Sequence, residues 1–287
     1  MKNNSALAYI KILRPEQWYK NILIFIPLVF SGNLFNRAMF ILTFLGFGIL
    51  CMLSSANYII NDIIDKKRDQ NHPEKNKRPI ASGRISVSMA FTLALILDLV
   101  FLYFAYVLSI PFFICTLAII TITSIYSFGL KNVIFLDNLL ISSNFVLRTL
   151  SGIFLLKINM SYWVILVIFF LASYLVYSKR LGDIELKSQI GNHKLVLNEY
   201  SQINLNAIVV GNMFVIFVLY SLYCISTHVA MIFTLPIVLH GIYRHYYLIQ
   251  TNKNIARRAE LIFLDLGILI SLLIFMLATI YILYIIY

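Results

Sequence analysis

Long apolar runs recur along this chain, at about 22–36, 38–60, 87–108, 111–129, 133–154, 161–178, 203–225, 229–249 and 260–285. Most have the length of a helix that crosses a bilayer; the first is short and broken by Pro27. Backbone inside hydrocarbon must satisfy its own polar groups, so such runs fold as helices. The expected fold is an all-α polytopic membrane protein with about nine transmembrane helices, one integral membrane domain over 1–287. Composition agrees, because 61% hydrophobic and 12% charged residues cannot cover a soluble surface. Cys51, Cys115 and Cys224 lie inside apolar runs without a CxxC or Cys/His grouping, and read as packing residues. The first 21 residues are polar, so no removable signal peptide is expected.

The net charge of +11 does not require nucleic acid. With a cytoplasmic N-terminus, 20 of the 23 Lys/Arg residues fall on the cytoplasmic side, counting Arg244 towards the inner end of the eighth run. The outer side holds Arg37 and Lys157, and Arg148 remains within a span. That asymmetry follows the positive-inside rule and orients an inner or plasma membrane protein, its basic side facing anionic lipids or ligands. Two long polar connections, 61–86 and 179–202, lie four spans apart on that side, which suggests two four-helix halves and a ninth helix. Ser86 is an expected N-cap for the third span, after a turn at Gly83.

Chemistry concentrates in the first of these connections. Asp62, Asp65 and Asp69 are spaced by three and four residues, so on a helix they share a face. The bland alternative is a solvated helix end whose acids pair with Lys66, Lys67 and Arg68. Against it, Asn61 and Asp62 directly follow an apolar run, where ionisable groups are costly and face the bundle interior. Carboxylates so placed suit a hard divalent cation, Mg²⁺, shared with the oxygens of a diphosphate. Lys75, Lys77 and Arg78 follow, with Ser82, Gly83 and an oncoming helix start that together suit a phosphate; a plain basic loop is the alternative. Lys179, Arg180, Asp183 and Glu185 form a second cluster, either a helix-end anchor or a site. Arg148 needs an anion or a carboxylate partner, and Asp137 lies about three turns earlier, too far along one helix. Asp98 is also intramembrane and has no assigned role. Trp18, Tyr19 and Lys20 read first as interfacial anchors, as do Tyr126 and Lys131, although either lysine can reach a phosphate.

At these residues the chain resembles the UbiA superfamily of intramembrane prenyltransferases. The first Asp-rich motif is present as Asn61-Asp62-x-x-Asp65-x-x-x-Asp69, followed by Arg78-Pro79-Ile-Ala-Ser82-Gly83. The second departs from the usual pattern, with Lys179-Arg180-Leu-Gly-Asp183 in place of another Asn-Asp-x-x-Asp run. That departure is similar to the decaprenyl-phosphate phosphoribosyltransferase branch. Arg14-Pro15-x-Gln17-Trp18-x-Lys20-Asn21, His72-Pro73-x-Lys75-x-x-Arg78-Pro79, Tyr126-Ser-Phe-Gly-Leu-Lys131 and Phe145-Val-Leu-Arg148 match it in order. The likeness covers about residues 10–190 and fades beyond, where Arg244 and Asp265 still look placed as in the branch. Asp183 stands where the branch usually carries Glu.

The resemblance implies a UbiA-like bundle with a polar cavity on its cytoplasmic side. It implies Mg²⁺ held by Asp62, Asp65 and Asp69, with Arg78 in the catalytic set. Lys20, Asn61, Lys75, Lys77, Tyr126, Lys131, Arg148, Lys179, Arg180 and Asp183 are the expected substrate-binding residues. The implied reaction moves 5-phosphoribose from phosphoribosyl diphosphate to a polyprenyl phosphate in the bilayer, for cell-envelope glycan synthesis. Ordinary prenyl transfer to an aromatic or other small acceptor is the competing enzyme reading. A transporter or flippase lined by Arg148 and Asp98 is the competing reading from another class. Oligomeric state stays open, a homo-oligomer included.

Overall fold

A computed structural model describes residues 3–72, 74–190, 199–251, 261 and 264–286, and side chains within them except 3–6 and 185–190. The described elements are α1 Asn3–Leu13, a 3₁₀ segment Pro15–Phe25, α2 Ile26–Phe30, α3 Arg37–Ile64 and α4 Lys66–Gln70. Then come α5 Val87–Leu108, α6 Ile110–Phe128, α7 Leu136–Leu156 and α8 Tyr162–Ile190. Last are α9 Leu205–Ser226, α10 Leu235–Thr251 and α11 Leu266–Tyr281, which passes into a π-helical end, Ile282–Ile286. No strand occurs among the described residues.

Among the described residues, seven helices are long and apolar enough to cross a membrane: α3, α5, α6, α7, α8 over Tyr162–Ile184, α9, and Leu266–Ile286. The other two of the nine expected spans are composite. The first is a 3₁₀ segment opened by Pro15 and followed by a five-residue helix whose second residue is Pro27. Proline withholds an N–H and crowds the preceding turn, so an α-helix does not run through. The eighth begins as a 3₁₀ turn, Val229–Thr234, before the 17-residue α10.

The chain forms two compact units. The first contains residues 1–130 and 147–159; the second contains 131–146 and 160–287. In the first unit, Ala8 and Ile12 of α1 pack with Ala56 and Ile59 of α3 and with Ala90 and Ala94 of α5. Small residues at that seam let helix backbones approach closely, which substitutes dispersion contact for a hydrophobic drive inside lipid. Ile24, Leu50, Leu53, Phe112, Ile119 and Leu155 make a second core in this unit. The second unit packs Tyr174, Tyr177, Tyr200, Leu205, Val209 and Ile249 together. All three cysteines are buried and free, as their sequence setting implies.

One cap and the turn before it meet the sequence expectation. Ser86 accepts a hydrogen bond from Met89 N at 3.2 Å, and Gly83 takes the left-handed turn (φ 74°) before it. Trp18 donates through Nε1 to Ser55 Oγ at 3.0 Å, tying the 3₁₀ segment to α3. The segment also crosses Gly152 so closely that an added Cβ would collide with the Ile24 carbonyl oxygen. Gly152→Ala should therefore cost about 1–3 kcal/mol of overpacking. A lowered melting temperature of the detergent-solubilised protein would register it, and an unchanged one would refute the close approach.

Candidate active site

The first unit gathers the acidic motif. α3 ends at Ile64, Asp65 is its C-cap, and α4 restarts at Lys66. The sequence spacing expects one continuous helical face; instead the break at Asp65 leaves that residue half-buried and sends Asp62 and Asp69 inward. Only 3% of Asp62 and 2% of Asp69 is exposed. Charges that deep persist only with a counter-charge in contact. Arg78 supplies it: its Nη1 donates to Asp62 Oδ1 at 3.0 Å and to Asp69 Oδ2 at 2.5 Å. Arg14 donates to the same Asp62 Oδ1, and Lys75 Nζ lies 3.9 Å from Asp69 Oδ1.

Arg14 is the residue the sequence reading left outside the site. It sits in the left-handed region (φ 52°, ψ 58°) directly before Pro15, where a non-glycine residue prefers extended backbone. Such a conformation costs roughly 1–3 kcal/mol, offset here by the ion pair to Asp62. The signal for Arg14 in the sequence was the match at Arg14-Pro15-x-Gln17-Trp18-x-Lys20-Asn21, which does not point to a partner 48 residues away. Tyr58, one turn before Asp62, was also missed. Arg14 Cζ stands 5.3 Å from its ring centroid and Lys20 Nζ 5.9 Å, so two cations share one aromatic ring. Lys20 also donates to Gln17 Oε1 at 2.7 Å.

Burial, then the neighbouring Arg78 charge, push the Lys75 ammonium below the ordinary lysine pKa, while Asp69 works against them. Asn61 is half-buried on the last turn of α3, and Lys77 is exposed, its carbonyl accepting from Arg84. The Ser82 hydroxyl donates to Arg78 O at 2.8 Å, so it is spent on its own turn. Pro73 lies outside the described residues. Arg148, 7% exposed, donates through Nε to Asn21 Oδ1 at 2.8 Å; Ser54 donates to the same oxygen at 3.3 Å. Tyr126 is half-buried near the end of α6. Asp98 is half-buried on α5 with Oδ1 lacking a hydrogen-bond partner, and joins none of these groups.

The second unit holds the second cluster. Arg180 grips Asp137 through Nε at 3.0 Å and Nη2 at 2.7 Å, both residues nearly sealed from solvent. Tyr200, also missed, donates its hydroxyl to the other Asp137 oxygen at 2.5 Å and accepts from Phe135 N at 3.0 Å. Burial and that carboxylate raise the Tyr200 pKa, so the phenol stays a donor. Asp183 lies 3.9 Å from Arg180, Lys179 is exposed and Lys131 half-buried; the Glu185 side chain lies outside the described ones. A groove of about 570 Å³ in this unit is lined by Phe135, Asn138, Phe169, Phe170, Tyr177 and Ile208, among others. Arg244 holds Asp265 through two hydrogen bonds at 3.2 and 2.9 Å, and Asp265 caps α11 through Ile268 N.

Chemically, the first unit offers two buried carboxylates that share a cation, inside a ring of further cations. Among the described residues no three His, Cys, Asp or Glu groups converge as a ready metal cage. Mg²⁺ does not need one, since it takes one or two carboxylates and completes its shell with water and phosphate oxygens. Hard oxygen donors already drawn together around a positive charge fit that ion.

Solved and curated proteins agree with this architecture. The structure of a UbiA homologue from Archaeoglobus fulgidus bound to DMAPP and Mg²⁺ superposes with a TM-score of 0.73 over 96% of this chain and 98% of that one, at 17% identity. Decaprenyl-phosphate phosphoribosyltransferase of Corynebacterium glutamicum is 33% identical over 192 residues, 66% of this chain and 58% of that protein. The protein of the same name from Mycolicibacterium smegmatis is 32% identical over 192 residues, 66% of this chain and 60% of its own length. The match thus spans about three fifths of these relatives. The profile of the UbiA prenyltransferase family matches residues 22–267, and the chain belongs to that family.

Proposed function

We propose that this protein transfers 5-phosphoribose from phosphoribosyl diphosphate to a polyprenyl phosphate, at a site on the cytoplasmic face of the membrane. One observation carries the reading: Arg14, Lys75 and Arg78 lie against the two inward carboxylates, Asp62 and Asp69, and Lys20 stands over the neighbouring Tyr58 ring. Such an excess of cations at the end of a membrane helix suits a polyanionic ligand. The names of the relatives support a phosphoribosyl donor and an isoprenoid phosphate acceptor. The lysine and arginine bias supports the orientation.

Asp62 and Asp69, with Asp65, would hold Mg²⁺, which when bound neutralises charge gathering on the departing diphosphate. Arg78 and Lys75 bind its oxygens, Arg78 as a planar fork and Lys75 as a point charge. The anomeric carbon gains oxocarbenium character as the diphosphate leaves, so the residues act by positioning and charge. The acceptor phosphate is already an anion at neutral pH, and no residue has to remove its proton. Lys20 and Arg148 remain for the 5-phosphate or the acceptor.

The test supplies the purified protein with Mg²⁺, radiolabelled phosphoribosyl diphosphate and polyprenyl phosphate. Label should enter the lipid phase. Turnover of a prenyl diphosphate with an aromatic acceptor and no such label would replace this reading with prenyl transfer.

A further inference from the structure

Arg78 occupies the position a metal would need. Its Nη1 contacts Asp62 Oδ1 and Asp69 Oδ2 at once. A magnesium ion binds carboxylate oxygen at about 2.1 Å, so it cannot take the bridging position between these two oxygens while the Nη1 fills it. Arg14 adds a second guanidinium on Asp62 Oδ1. Arg78 is also the more accessible of the partners: 26% of its side chain is exposed, against 3% and 2% for the carboxylates. Its guanidinium reaches the carboxylates from a turn at the open side of the cluster, whereas the carboxylates are buried.

From this competition we infer that Arg78 is a resident counter-ion that makes the chain refuse free divalent metal and accept it only together with a diphosphate. A metal arriving alone must break the Asp62–Arg78–Asp69 bridge and leave an uncompensated guanidinium beside a dication. A metal arriving with a diphosphate gives the displaced guanidinium a new anion to grip. The two ligands then bind cooperatively, each raising the other's affinity by the same factor. Free metal, abundant in any cell, does not occupy the site unproductively. The inference rests on the reading of this cluster as a metal–diphosphate site and adds to it the order of dependence between the two ligands.

The experiment measures Mn²⁺ binding to the full chain in detergent by electron paramagnetic resonance, with and without inorganic diphosphate. Wild type should bind Mn²⁺ at least about 100-fold more tightly when diphosphate is present, a coupling near the top of the usual range. Arg78→Gln should bind Mn²⁺ alone about 10-fold more tightly than wild type and lose most of the enhancement. Its melting temperature without metal should fall, and Mn²⁺ alone should restore it. Arg78→Lys keeps the charge, and the fold if Gln does not, but its shorter side chain bridges the two carboxylates less well, and the variant should bind Mn²⁺ alone more tightly than wild type.

Two failures are distinguishable. Wild type that binds Mn²⁺ with diphosphate, beside variants that bind Mn²⁺ alone no better than it does, overturns the counter-ion role and leaves the site reading standing. Wild type that binds neither overturns both.

Discussion

Asp62→Asn should reduce the proposed phosphoribosyl transfer at least about 1,000-fold in kcat/KM, equivalent to about 4 kcal/mol of transition-state stabilisation. Asp62 is the hub of the first unit's cluster: one of its oxygens receives both Arg14 and Arg78. The amide is isosteric but neutral. It weakens the hold on a metal and turns two guanidiniums from partners of one carboxylate into repelling neighbours. Arg78 keeps Asp69, so the fold should survive with a modest loss of melting temperature. Asp65→Asn is the matched comparison, half-buried at the helix break, and should cost about ten times less than Asp62→Asn. Initial rates measured by label in the lipid phase, beside thermal melts, separate the two. Equal rates for wild type and Asp62→Asn would remove the carboxylate from the reaction.

The sequence carried the membrane helices well wherever an apolar run was uninterrupted. α5 matches its expected range at both ends because Ser86 caps it and Ser109-Ile-Pro breaks it. The segment around Pro15 and Pro27 defeated the same reasoning, since hydropathy does not distinguish a 3₁₀ segment from an α-helical span. Within the site, Asp62, Asp69, Lys75 and Arg78 were legible because local spacing concentrated them in one stretch. Arg14 and Tyr58 were not, because their partnership depends on α1 folding back onto α3, a long-range contact with no local trace. The partner of Asp137 was likewise not legible. Asp137 lies too far along its helix to pair with Arg148, and its partner is Arg180, 43 residues later.

The two buried ion clusters differ in a way that separates function from structure. In the first unit the guanidiniums keep 15% and 26% of their surface, so an incoming anion can take them from the carboxylates. In the second, Arg180 keeps 4% and Asp137 none. A cation sealed with its counter-ion is a poor phosphate clamp: extracting it would strand a charge in a low-dielectric interior. Lys179, exposed beside it, is the better candidate for contact with a ligand.

Asp137→Asn should accordingly act on stability, costing about 3–5 kcal/mol, because it leaves Arg180 buried without its charge partner. Tyr200 aggravates the loss: its hydroxyl donates to one carboxylate oxygen while the guanidinium takes the other, so all of Asp137's anionic acceptors serve the fold. Replacing both ions together, as in Asp137→Leu with Arg180→Met, removes the stranded charge and should recover most of the stability, since an apolar pair of similar volume suits a lipid-embedded interior. Arg180→Met alone strands the carboxylate instead and should be as harmful as Asp137→Asn. Melting temperatures of wild type, Asp137→Leu, Arg180→Met and the double variant in detergent form a double-mutant cycle with a large coupling energy. Additive losses would mean that Arg180 and Asp137 contribute independently, and would return Arg180 to the set of substrate-binding candidates.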